Sequence, residues 1–163
     1  MKRFTLLMVA LLALPGTALA REALTGKAEL QSTPPANAIY GPGVVEGKAH
    51  LITDTSSGQT SIVTRVEGLK PGTQHAGHIH FGDCSRLFPG AIIHDLEPLV
   101  ADKHGRAVSR TVVDDSLAGL KDGEWWVAVH EGPVNATPQS PAIAVGPVIV
   151  HDGTDDCDSE SSD

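Results

Sequence analysis

Ser61-Ile62-Val63-Thr64-Arg65-Val66-Glu67 alternates polar and apolar residues over much of its length. Successive side chains of a strand point to opposite faces, so this alternation marks a strand half buried against a core. Working outward, the same short-strand texture recurs: Ala28 to Ser32, Val44 to Thr53, His75 to Phe81, Ala107 to Val113, Trp125 to His130 and Ala142 to Val150. Gly, Pro, Asp and Ser separate these runs. Thr53-Asp54-Thr55-Ser56-Ser57-Gly58-Gln59 and Ala101-Asp102-Lys103-His104-Gly105-Arg106 have the chemistry of hairpin turns. No segment sustains a helical period, and Asp114 to Leu120 could hold a turn or two. Short strands at fairly even spacing predict an all-β sandwich or barrel. In Trp125-Trp126, alternation sends one ring to the core and one outward.

The first twenty residues read as a targeting segment. Lys2 and Arg3 give a basic start, Phe4 to Leu14 an apolar stretch, and Ala18-Leu19-Ala20 a small-residue cleavage site. The stretch is too short to span a membrane, and no other run approaches the needed length. The expectation is an exported protein, periplasmic or secreted, with a single domain over 21–151 and an acidic tail over 152–163. Loss of Lys2 and Arg3 takes the formal charge from -8 to -10. So acidic a chain is a poor partner for nucleic acid or anionic membranes. The run Asp155-Asp156-Cys157-Asp158-Ser159-Glu160 reads as a solvated tail. Oligomeric state is not written in the sequence.

Chemistry concentrates in His75-Ala76-Gly77-His78-Ile79-His80, where His78 and His80 share a strand face. Two imidazoles on stiff backbone start a transition-metal site; the alternative is a solvated histidine face. His130 ends a second strand, Trp125 to His130, and His94 lies in the connection Gly90-Ala91-Ile92-Ile93-His94-Asp95-Leu96. His50, His104 and His151 have no partners visible in the sequence.

The order of these blocks resembles the Cu,Zn superoxide dismutases. Gly68-Leu69-Lys70-Pro71-Gly72, His75, His78-Ile79-His80 and Gly82-Asp83-Cys84 are similar to that family's copper strand and loop. Asp95-Leu96, Ala101-Asp102-Lys103-His104-Gly105 and Asp114-Asp115-Ser116 look like its central hairpin and the following strand. Val127-Ala128-Val129-His130-Glu131 resembles its second copper strand, and Val145-Gly146-Pro147-Val148-Ile149 its closing one. The resemblance implies a Greek-key β-sandwich or flattened barrel of about eight antiparallel strands. It implies copper on His78, His80 and His130, with His75 in support and superoxide as the substrate.

Departures from the family matter as well. The connection from His80 to Asp95 is short, and Ile92 stands where a zinc histidine is expected. Asp95 aligns with a zinc-ligand aspartate, but one carboxylate is not a four-ligand site. A copper-only variant without zinc is therefore expected. His94 is either a fourth copper ligand or an ordinary loop histidine. The family's arginine near copper is missing from Gln139-Ser140-Pro141-Ala142, and Arg86 is either its substitute for steering an anion or a solvated side chain.

The resemblance places Cys84 at the family's loop cysteine, while Val145 holds the usual partner position. Cys157 is then the partner within the chain. Such a bridge is worth about 3–5 kcal/mol in the chain-entropy model. An intermolecular bridge or two free thiols are the alternatives. Two other functions share these motifs: a chordin-type binding sandwich, and a copper-binding or delivery protein without turnover.

Overall fold

A computed structural model describes residues 23–41, 43–82, 90–133 and 140–151. The expected targeting segment, Arg86, Cys84, Cys157 and the acidic tail lie outside the described residues. The expected all-β fold is present. Its strands are β1 (Ala23–Ser32), β2 (Glu46–Asp54), β3 (Gln59–Glu67), β4 (Gln74–Phe81) and β5 (Ile92–Val100), then β6 (Ala107–Val113), β7 (Trp125–His130), β8 (Ala142–Pro147) and β9 (Ile149–Val150). They are antiparallel neighbours in the order β5-β4-β7-β8-β1-β2-β3-β6, and β9 pairs with Gly26 and Lys27 of β1.

The two ends of this path, β5 and β6, lie against each other and bring the sheet close to a barrel. Side chains bridge that seam in place of a ladder: the Glu97 N–H donates to Thr111 Oγ1 at 2.8 Å. The links from β3 to β4 and from β6 to β7 cross between the halves. That places β3, β6, β5 and β4 in Greek-key order.

Alternation sorts the residues as the sequence predicts. In β3, Ile62, Thr64 and Val66 go inside while Ser61, Arg65 and Glu67 go out. Ala49 and Leu51 of β2 join them, and Ile79, Leu96, Leu99, Val127 and Val129 fill the core from the other half. Trp125 is buried in this core and Trp126 is half-buried on the outside. Both expected hairpin turns form. Asp54 O accepts from Gly58 N–H at 2.8 Å, and Asp102 Oδ1 accepts from His104 and Arg106 N–H at 2.7 and 3.0 Å.

Three elements differ from the sequence reading. Ala142 to Val150 is two strands, because buried Val148 leaves the ladder to donate its N–H to Trp125 O. Residues expected in a loop form β5. A short helix, α1 (Pro34–Tyr40), has no counterpart in the sequence reading. Thr33 caps it by accepting from Ala36 N–H, Pro34 and Pro35 occupy its first turn where N–H groups have no helical partner, and Gly41 ends it. Seven residues are too few to show a period. Asp114 to Leu120 contributes turns only.

Candidate metal centre

Strand β4 is buried on both faces. Ile79 points into the core, so His78 and His80 on either side of it point outward. Strand β7 pairs with β4, placing Ala128 opposite His78 and Trp126 opposite His80. Ala128 is fully buried, and its small side chain leaves the imidazoles room. His130 closes the group from the end of β7, with its ring centroid 4.8 Å from that of His78 and 6.1 Å from that of His80. One ligand nitrogen from each of the three rings lies within 4.8 Å of the other two.

The rings are held by their far nitrogens. His80 Nδ1–H donates to Gly90 O at 2.9 Å, and His130 Nδ1–H donates to Ser140 O at 2.7 Å. His78 Nε2 lies 3.4 Å from Asp95 Oδ1, its cross-strand partner on β5. Fixing one nitrogen of an imidazole as the donor leaves the other as a lone pair. The nitrogens so freed, His78 Nδ1, His80 Nε2 and His130 Nε2, are buried and have no hydrogen-bond partner among the described residues. Facing lone pairs shut away from water are costly unless a cation joins them. This group could hold a metal ion.

Support reaches back one layer further. Fully buried His75 donates from Nδ1 to the His130 carbonyl at 2.9 Å, and its Nε2 meets Thr73 Oγ1 at 2.7 Å. His75 thus stands one hydrogen bond behind His130. Glu131 follows His130, and its charge, after burial, helps to raise the Tyr40 phenol above its ordinary value.

His94 does not join the group. It stands opposite Ile79 in the β4–β5 ladder, and therefore on the other side of β5 from Asp95. Its Nε2 lies 3.3 Å from Asp115 Oδ2, and its ring meets Trp125 edge-on. The expected alternative of a fourth ligand is not met in this geometry. Nor is His94 a loop residue, since β5 carries it. Sequence reasoning missed Thr73, Ala128 and the carbonyls of Gly90 and Ser140. The Thr73 hydroxyl close before His75 was the one side-chain signal available.

Burial, before the neighbouring histidines, lowers the His78 pKa below the ordinary 6.5, against the opposing pull of Asp95. Burial likewise lowers that of His130, against its bond to Ser140. Between these folded values and 6.5 the unfolded chain binds more protons than the folded one, so stability rises with pH there. Metal-free protein should hold this contribution in full above pH 6.5 and lose it on acidification below. Urea titrations of the metal-free protein across pH 5–7.5 check the sign; a midpoint that rises on acidification would contradict it.

No protein-family model matches this chain, and no curated protein matches it. The fold and the three-histidine group therefore stand on the chain's own geometry. No helix among the described residues is long and apolar enough to cross a membrane.

Proposed function

We propose that this chain is an exported, copper-dependent superoxide dismutase that works without zinc. The observation carrying this reading is the trio of buried, unpartnered nitrogens on His78, His80 and His130, each with its opposite ring nitrogen against an acceptor. Three neutral imidazoles on a stiff frame suit copper in either of its common oxidation states. The sequence resemblance, block by block along most of the chain, supports the choice of activity.

Copper bound there supplies the one-electron chemistry, in which one superoxide is oxidised to oxygen and a second, with two protons, is reduced to hydrogen peroxide. His78, His80 and His130 hold the ion. Gly90 O and Ser140 O keep His80 and His130 in the tautomer that offers Nε2. Asp95 does the same for His78 Nδ1, and its largely exposed carboxylate stands at the solvent end of that ring. An outer-shell partner of this kind typically governs affinity by about 10–100-fold. Asp95→Asn should therefore weaken copper binding by about that factor, read by competition with a chelator; unchanged affinity would remove Asp95 from the site.

A second reading, copper binding or delivery without turnover, is favoured by one observation: β4, β5, β7 and β8 carry no lysine or arginine to attract an anion. Metal content and a dismutation assay on residues 21–163 decide between the two. One copper per chain with superoxide consumption supports the dismutase. Copper without consumption supports the carrier, and full activity without copper removes both.

A further inference from the structure

The strands divide by charge as well as by position. β1, β2, β3 and β6 carry Lys27, Lys48, Arg65 and Arg110, balanced by Glu29, Glu46, Asp54 and Glu67. The four strands of the metal half carry only carboxylates, Asp95 and Glu97, and Glu131 follows directly on His130. Against this negative surround stand three buried imidazole nitrogens with no partner among the described residues. In sequence, the connection between β4 and β5 holds one cation, Arg86, and one carboxylate, Asp83.

We infer that the metal face is an entry face for cations: it draws a copper ion in through the field of Asp95, Glu97 and Glu131, and any anionic substrate approaches against that field. The inference rests on the copper reading above and reverses the steering expected if Arg86 governed approach. Local potential, not net charge, sets the sign of such steering, and salt screens it. For a cation and a negative mouth, association slows as salt rises. For superoxide it quickens.

The test uses aqueous Cu(II) and the metal-free protein spanning 21–163, with uptake followed by quenching of tryptophan fluorescence between about 10 and 500 mM NaCl, over which the screening length falls from about 30 Å to a few ångströms. Uptake should slow about threefold or more across the series. Glu97→Gln with Glu131→Gln should slow uptake about twofold at low salt and flatten the dependence, leaving one copper per chain. Arg65→Gln, on the far half, makes the chain more acidic without touching this face and should leave uptake unchanged. Superoxide consumption by the copper-loaded protein should rise with salt.

One copper per chain with salt-indifferent uptake overturns the inference and leaves the copper reading standing. The inference also falls if Arg65→Gln changes uptake as much as the double variant does. Superoxide consumption that falls with salt, and loses that fall in Arg86→Gln, overturns it as well. No copper at equilibrium overturns the reading itself and the inference with it.

Discussion

His80→Ala should abolish stable copper binding while leaving the barrel folded. The substitution takes one of three nitrogens from a group that no fourth histidine, cysteine or carboxylate joins among the described residues. Two imidazoles remain, and the expected loss exceeds the roughly hundredfold effect of an outer-shell change. The fold is spared because His80 lies outside the core that Ile79 enters. Alanine removes a buried nitrogen with no partner among the described residues, but it also removes the His80 Nδ1–H bond to the Gly90 carbonyl, so the metal-free variant should stay folded and melt somewhat below the metal-free parent. Copper should then separate the two proteins. A ligand at a thousandfold excess over its Kd stabilises by about 4 kcal/mol, and the variant should gain almost none of this. Melting curves with and without copper, together with metal content after dialysis, give the result. Copper retained at parental stoichiometry would remove His80 from the centre.

Gly68→Ala should be the most damaging small change in the fold. Gly68 directly follows β3, where the chain crosses to the metal half, with φ at +80°. A Cβ there would meet the Val44 carbonyl oxygen at 1.8 Å and its carbon at 2.6 Å. The left-handed conformation alone costs an L-residue about 1–2 kcal/mol. Backbone against backbone cannot yield as a side chain can, and the total should reach about 4 kcal/mol, at the extreme of single substitutions. Gly72→Ala separates the two causes. It has φ at +77° with nothing within 4 Å of the added carbon, so it should cost only the conformational part. Urea midpoints for both variants decide. Equal losses would mean that the approach of Val44 is not what requires glycine.

Legibility in the sequence follows from which signals side chains carry. β3 and β2 show their alternation because one face meets the core and the other meets water. β5 hides because its buried residues, Leu96 and Leu99, are three apart rather than two, where the pairing with β4 shifts register between His75 and Gly77. A strand with such an irregularity, containing Pro98 and two carboxylates, has no period to read. The misplacement of His94 has the same root. Once 92–100 is a strand, the register fixes His94 opposite Ile79 and keeps it from the metal side.

For the site, the three candidate ligands are readable because their spacing and side chains bear the chemistry. Their orientation is not. Two of the three orienting groups are main-chain carbonyls, at Gly90 and Ser140, and a carbonyl has the same letter-independent form at every position. In sequence Asp95 looks like the relic of a zinc ligand. The register instead sets it beside His78, where a carboxylate orients an imidazole.

The alternation in β4 has an evolutionary consequence. Ligand and core positions interleave residue by residue along His78, Ile79 and His80, so either set can drift by substitution while the other is kept. Insertions and deletions have no such freedom. A single added residue before His78 would turn both imidazoles inward and Ile79 outward, losing centre and core together. Descendants of this chain should therefore vary in the identity of their ligands long before they vary in the length of this strand.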